Sequence, residues 1–397
     1  MKLCKKGRTI GFAIRLAAAL LALCLLTSFN VFAAPSAEVN EGEYPDLDLT
    51  CKSAVLMEAS TGKILYAKNM DEALPPASVT KVMTLLLIME QIDSGRLKYT
   101  DTVTASANAA SMGGSQIYLK EGETMTVEDL LKSVVIASAN DAAVALAEHI
   151  AGSESAFVDS MNKRAAELGM TKTHFENTNG LDDTTENHVT SAHDIAIMSR
   201  ELIKHRRIFD YSSIWMDTIR NGSFGLTNTN RLVRFYKGAT GLKTGSTSKA
   251  KFCISATACR DGMDLICVIM AADTRDVRNE EAKKLLDWGF ANYELFTAPA
   301  ESLGSVKVTG GVSDLVGAQT ERFSCVVKKG EAAKVEKTLE LSDKVAAPVE
   351  NGDQLGKTIF KIGGEKIGEC KIISTEKVEK IGFWQFFLRI IRAYFVK

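Results

Sequence analysis

The stretch PPASVTKVMTLLLIMEQI, residues 75–92, decides how the rest of the chain is read. Pro75 and Pro76 stop whatever precedes them, because proline fixes its own backbone and restricts the residue before it. Val79, Met83, Leu86 and Leu87 then recur at helical spacing, while Leu85, Ile88 and Met89 fill the other sides. A helix apolar all round is a buried helix, so this one is expected to run through a core. Ser78 and Lys81 stand at its start, three residues apart and therefore on one face. The pair has two readings: a nucleophile with its base, or a helix cap with a surface lysine. A serine hydroxyl is a poor nucleophile until a base takes its proton. A lysine is such a base only when neutral, which burial or a nearby positive charge favours. Backbone N–H groups at a helix start are unpaired, so that of Ser78 is free to serve another group.

On the N-terminal side, SAVLMEASTGKILYAKN (53–69) shows two apolar runs around Ser60-Thr61-Gly62, the pattern of a hairpin. On the C-terminal side, residues 126–138 and 141–152 read as helices with Ser138-Ala139-Asn140 at their junction. Further helices are expected over 153–170, capped by Ser153, and over 191–205. From about 230 the pattern becomes strand-like. GLKTGS is followed by KAKFCISATACRDGMDLICVIMAAD, a hairpin turning at Asp261-Gly262. Residues 279–296 return to helix. Strands, then helices, then strands with a closing helix give an α+β domain over 44–296. Beyond Pro299, short strands between glycines and charged turns suggest a small all-β domain over 300–375. The last segment, assigned to 378–397, ends in IGFWQFFLRIIRAYFVK. Gln385, Arg389, Arg392 and Val396 share one helical stripe there, and aromatic and aliphatic residues cover most of the rest. It falls short of the ~20 apolar residues of a membrane span. A helix lying in a membrane interface fits it; the alternative is a helix docked on its own protein.

Of 397 residues, 46% are hydrophobic and 24% charged, a globular composition with a formal net charge of −1. Residues 1–33 carry five basic residues, an apolar run (Leu16–Leu26) and a small-residue cleavage pattern at Val31 and Ala33. They read as a secretory signal cut after Ala33, with an uncleaved anchor as the alternative. What remains holds 43 Lys and Arg against 49 Asp and Glu. A mildly acidic body gives no electrostatic reason for nucleic-acid binding. Six cysteines follow the leader, none in CxxC spacing. In the 249–273 hairpin, Cys253 and Cys259 share a face but lie about 20 Å apart at strand rise, and Cys267 points the other way. Small buried apolar residues are expected rather than bridges. No His/Asp/Glu cluster suggests a metal, and no cofactor is expected. His174 and His193 read as structural; His188 is left open between a structural and a site role.

The SxxK pattern alone is weak: it occurs at Ser60, Ser78, Ser160, Ser246 and Ser374, and SxN at Ser28, Ser106, Ser138 and Ser160. Context chooses among them. Ser78 alone opens a buried helix, Ser138 alone sits between two amphipathic helices, and Lys243-Thr244-Gly245 occurs once, at a strand position. In this order SxxK, SxN and KTG resemble the signature of penicillin-recognising serine enzymes. STGKILYAKNMDEALPPASVTKVMT, SANDAAVALAEHIAG, FENTNGLDDTTENHVTSAHDIA, GLKTGST and AKKLLDWGF together resemble the low-molecular-mass D-alanyl-D-alanine carboxypeptidases. The resemblance covers nearly the whole chain after the leader.

That resemblance implies a β-lactamase/transpeptidase-like fold, an antiparallel sheet with helices, followed by the small β domain. It implies Ser78 as nucleophile on the bond between two terminal D-alanines, Lys81 as its base and Ser138 as a proton relay to the leaving amine. Asn140 would bind the substrate amide and fix Lys81. Lys243 and Thr244 would meet the substrate carboxylate, with Gly245 allowing close approach. The N–H groups of Ser78 and Ser246 would form the oxyanion hole. The implied partners are peptidoglycan stem peptides, β-lactam inhibitors and a membrane surface, on the outer face of a bacterial cytoplasmic membrane. Two departures bear on the alternatives, a β-lactamase or a non-catalytic peptidoglycan-binding protein. The middle motif is Ser-Ala-Asn where class A β-lactamases resemble Ser-Asp-Asn, and no glutamate matches their deacylating one. Ser246, after the KTG, stands at a position that varies in the family.

Overall fold

The apolar runs of the hairpins assemble into a five-stranded antiparallel sheet in the computed structural model, which describes residues 44–395. The leader expected over residues 1–33, with its cut after Ala33, lies outside the described residues. In chain order the sheet strands are β1 (Ser53–Glu58), β2 (Ile64–Lys68), β3 (Ala239–Thr247), β4 (Lys251–Arg260) and β5 (Met263–Ala272). They lie side by side as β2-β1-β5-β4-β3. Every residue of β1 is buried, as expected of a strand covered on both faces. Asp261 and Gly262 join β4 to β5 with φ of 50° and 77°. Two successive positive φ values are what a two-residue turn matching the strands' twist requires.

Five helices of ten residues or more fill the middle of the chain: α1 (Lys81–Asp93), α2 (Val127–Ile136), α3 (Asn140–Ala151), α4 (Glu154–Glu167) and α5 (Ala192–Leu202). Residues 81–89 of α1 are all buried. The sequence suggested helix from Ser78 onward, but Ala77–Thr80 form a separate 3₁₀ turn and the α-helix begins at Lys81. Ala77 enters that turn at φ 49°, a conformation L-residues adopt rarely, so a regular helix cannot start there. Ser153 and Ser191 cap α4 and α5, each accepting from the N–H three residues on. A further helix, α6 (Arg275–Asn292), lies on the sheet: its Leu285 and Leu286 share a core with Ala54 and Leu56 of β1.

The helix expected over 279–296 ends at Asn292. Tyr293–Ala298 is strand β6, paired in antiparallel register with β9 (Phe323–Lys328). Strand preference depends on cross-strand partners, and here the partner lies about 30 residues downstream, beyond the reach of a local pattern. Six later strands, β7 (Ser302–Thr309), β8 (Leu315–Thr320), β10 (Glu336–Leu341), β11 (Lys344–Ala346), β12 (Gln354–Ile362) and β13 (Glu365–Ser374), form a sheet in the order β10-β12-β13-β8-β7-β11. Only the β7–β11 pair is parallel. A small core of Val306, Val308, Val316, Leu355, Ile372 and their neighbours holds it together.

The terminal segment divides within the range first assigned to it. Val378 is buried and bridges Val349, and Lys380 bridges Gly311, so these residues belong to the β-rich core. Helix α7 begins only at Phe383 and runs to Phe395. Arg389 ties it to the chain through the Gly311 carbonyl at 3.3 Å and the Asp314 carboxylate. Phe383 and Trp384 stay about three-quarters exposed, and Phe386, Phe387, Leu388 and Ile390 are exposed too. Among the described residues, no helix is long and apolar enough to cross a membrane. Cys51, Cys253, Cys259, Cys267, Cys325 and Cys370 are all free.

Candidate active site

Three segments far apart in sequence converge at the mouth of α1. The first is the Ala77–Thr80 turn, which carries Ser78. The second is the α2–α3 junction, where Ser138 takes φ 63° and Asn140 opens α3. The third is strand β3, the sheet edge that carries Lys243-Thr244-Gly245-Ser246. Ser78, Ser138, Thr244, Gly245 and Ser246 line a cavity of about 740 Å³. Lys81, Asn140 and Lys243 are buried beside them. All eight residues expected from the sequence are thus brought together.

The contacts are specific. Lys81 Nζ lies 3.0 Å from Ser78 Oγ, 2.6 Å from Asn140 Oδ1 and 2.8 Å from the Asn179 carbonyl. Asn140 is anchored in turn, donating from Nδ2 to Gly113 O at 2.7 Å. Lys243 Nζ donates to Ser138 Oγ at 2.8 Å and to its neighbour's carbonyl, Thr244 O, at 3.0 Å. Thr244 donates to Thr229 Oγ1 at 2.7 Å. Gly245 is required by space rather than by φ: a Cβ there would come within 2.8 Å of the Ser78 nitrogen and 2.9 Å of Pro76 O. The strand backbone therefore lies against the Ser78 N–H, with Ser246 the next residue along.

The electrostatics follow from burial. Lys81 is fully buried, and its amine is held well below its usual pKa, first by burial and then by the charge of Lys243. Asp141 pulls weakly the other way. Lys243 is lowered to about 7, by burial and then by Arg278. Arg278 itself, only 3% exposed, lines the cavity from α6 and is lowered to about 10 by burial. Its guanidinium donates to Asn279 Oδ1 at 2.9 Å, and among the described residues no carboxylate pairs with it. Arg231 and Arg275 line the same cavity, and no acidic residue does. Lys243 and Arg278 are buried basic side chains with no carboxylate partner among the described residues, the exposed Arg275 and the Asp276-paired Arg231 stand beside them, and such a set is a site for an anion. No group of His, Cys, Asp and Glu among the described residues has the arrangement of a metal site.

Residues 38–274 match the family described as D-alanyl-D-alanine carboxypeptidase, and residues 292–380 match the C-terminal domain of penicillin-binding protein 5. The chain belongs to the D-alanyl-D-alanine carboxypeptidase family. The carboxypeptidase is 45% identical over 347 residues to the D-alanyl-D-alanine carboxypeptidase DacF of Bacillus subtilis, covering 85% of this chain and 88% of the relative. It is 32% identical to DacC of Escherichia coli, covering 93% and 95%. Among solved structures, penicillin-binding protein 5 from Haemophilus influenzae matches with a TM-score of 0.75 at 31% identity, over 85% of this chain and all of that one. Penicillin-binding protein D2 from Listeria monocytogenes, solved in its ampicillin-bound form, matches with a TM-score of 0.57 at 32% identity, over 62% of this chain and all of that one. Members of this family are serine hydrolases that act on peptidoglycan outside the cytoplasm, and penicillin-binding proteins bind β-lactams.

Sequence reasoning did not find Arg278, nor the Asn179 carbonyl. Arg278 sits on a helix whose spacing marks only its sheet-facing leucines. Asn179 contributes a backbone atom, for which no side-chain pattern exists. The one available signal was Gly180, held at φ 85°. A Cβ there would lie 1.8 Å from Ala77 O, so the 177–181 loop must pass directly against the Ser78 turn.

Proposed function

We propose that the carboxypeptidase cleaves the terminal D-alanine from peptidoglycan pentapeptides through an acyl-enzyme on Ser78, with Lys81 as the base. The observation that carries this reading is the set of contacts around Lys81 Nζ. A neutral amine has two hydrogens and one lone pair. Asn140 Oδ1 and Asn179 O can only accept, so they take both hydrogens. The lone pair is left for the third contact, Ser78 Oγ, whose proton it can receive. A surface lysine beside a helix cap would not be buried in this way.

The steps then balance as follows. Ser78 Oγ bonds to the carbonyl carbon while its proton passes to Lys81. The developing oxyanion sits between the N–H groups of Ser78 and Ser246, each such donor contributing roughly 3–4 kcal/mol in comparable sites. The carbon–nitrogen bond breaks as a proton is delivered to the departing amine through Ser138, which Lys243 holds. D-alanine leaves, and water hydrolyses the ester, returning the proton to Ser78. Thr244, Lys243 and Arg278 supply the hydroxyl and the positive charge that receive the terminal carboxylate. Asn140, fixed by Gly113 and Lys81, orients the substrate amide. The Ser-Ala-Asn motif and the lack of a matching deacylating glutamate favour a peptidase over a β-lactamase. The complete constellation disfavours a binding protein without catalysis.

We also assign the chain to the outer face of the cytoplasmic membrane, exported by its leader and held peripherally by the exposed apolar face of α7. Intact-mass analysis of the full chain in detergent with benzylpenicillin tests the chemistry. The expected result is a one-to-one adduct that maps to Ser78 and is absent from Ser78→Ala. Folded protein without an adduct would return Ser78 to the role of a cap.

A further inference from the structure

His188 has no part in the chemistry described above, yet it is only 5% exposed and touches the nucleophile's turn. Its Nδ1 lies 2.9 Å from the backbone N–H of Glu176. A backbone N–H only donates, so Nδ1 accepts and the neutral ring carries its hydrogen on Nε2. Nε2 lies 2.7 Å from Thr80 Oγ1, which therefore accepts from it. Thr80 then donates its own hydrogen, and its partner is the Ala77 carbonyl at 2.8 Å. The relay runs one way: Glu176 N–H to His188, His188 to Thr80, Thr80 to Ala77. It ends on the peptide group whose nitrogen belongs to Ser78.

That peptide group needs holding. Ala77 sits at φ 49°, which costs an L-residue roughly 1 kcal/mol or more and persists only when its surroundings enforce it. Gly180 presses against the same carbonyl from outside, leaving no room for it to rotate that way. Phe175 meets the imidazole edge-on, with ring centres 5.8 Å apart, and fixes its plane. Thr80 is fully buried, so no water competes for its hydroxyl.

We propose that His188 is a positioning residue: through Thr80 it holds the Ala77–Ser78 peptide plane, and so the aim of Ser78 Oγ at Lys81 Nζ. This rests on the reading of Ser78 as the nucleophile. The relay requires a neutral ring, because a protonated Nδ1 cannot accept from Glu176. Burial keeps the imidazole neutral down to about pH 4, with His174 acting in the same direction and the carboxylates of Glu176 and Asp182 against it.

The two ring nitrogens can be tested apart. Asparagine at 188 mimics Nδ1: it keeps an acceptor for Glu176 and loses the donor to Thr80. Glutamine mimics Nε2: it keeps that donor. The measurements are the acylation rate of the full chain by benzylpenicillin and kcat and KM on diacetyl-L-Lys-D-Ala-D-Ala, with melting temperatures alongside. His188→Asn and Thr80→Val are each expected to slow acylation and kcat by about 10–100-fold, the scale of a small misalignment of reacting groups. KM should change little, and His188→Gln and Thr80→Ser should stay near the parent. The double variant His188→Asn, Thr80→Val should be no slower than Thr80→Val, because both cut the same relay. Parental acylation by His188→Asn overturns the proposal. So does equal slowing of the Asn and Gln variants in step with lost melting temperature, or multiplicative effects in the double variant. If the parent itself forms no adduct at Ser78, it is the nucleophile assignment that fails.

Discussion

The chain from Ser53 to Asn292 and the β-rich part that follows handle buried polarity in opposite ways. The first encloses Lys81, Lys243 and Arg278, each at most 3% exposed, together with Asn140, Asp141 and His188. The second buries no charged side chain among the described residues, only Thr320, Thr358 and Ser374 of its polar groups. One of its strands, β10, is exposed at every position. A buried amine without a carboxylate partner reduces stability, so the first part sustains an arrangement that folding alone would not select. Buried unpaired basic groups collect where the chemistry is, beside Ala77 and Ser138 at positive φ, and the β-rich part has neither a buried charge nor a non-glycine residue at positive φ among the described residues.

The largest effect that would break this contrast comes from Lys81. Lys81→Met should lower acylation by penicillin by roughly 10²–10⁴-fold, the usual share of a general base. Its stability should move the other way. The folded pKa of Lys81 lies well below 10.5, so the unfolded chain takes up a proton that the folded chain does not. Native stability therefore falls as pH drops from 10.5 toward the folded value. The variant lacks this loss, and its melting temperature relative to the parent should rise as pH falls through that window. An inactive variant whose relative melting temperature is independent of pH would mean that Lys81 is charged in the folded protein.

A smaller effect sharpens the account of the carboxylate site. Lys243 titrates near 7 because burial and Arg278 both disfavour its charge. It is charged below that pH and neutral above it, so KM for the peptide should rise by up to about tenfold per pH unit on the alkaline side. Arginine stays charged throughout. Lys243→Arg should therefore give a KM that is flat from pH 6 to 9, whatever its level. A flat profile in the parent would assign the carboxylate to Arg278 alone.

The smallest effect is expected in the second part. Ending the chain after Gly382 removes α7 but spares Val378 and Lys380, which bridge into the β-rich core. Turnover of soluble peptide should stay within about twofold of the parent, as for independent structural units. Co-sedimentation with anionic vesicles should be lost; if it persists, α7 is not what attaches the protein.

Much of this was legible in the sequence where a local pattern carries a physical requirement. The all-apolar run after Ser78 required burial, and Asp261-Gly262 required a tight hairpin turn. The three motifs in order named Ser78 and Asn140, the side chains hydrogen-bonded to Lys81. What stayed hidden depends on contacts between distant segments. Tyr293–Ala298 became a strand because β9 pairs with it. Residues 378–380 joined the β-rich core because Gly311 and Val349 receive them. Arg278, 200 residues from Ser78, reaches the cavity only through the packing of α6 on the sheet. The 3₁₀ turn at Ala77 depends on Gly180 and Thr80 meeting one carbonyl.

The six free thiols carry a consequence of their own. Cys253 and Cys267 are fully enclosed, and burial pushes their thiols up, to about 11 for Cys253. Neither offers the thiolate that an oxidant or alkylating reagent attacks. Among the described residues no disulfide closes the fold. A recombinant chain without residues 1–33 is therefore expected to fold in a reducing buffer as readily as in an oxidising one, and dithiothreitol should leave its melting curve unchanged.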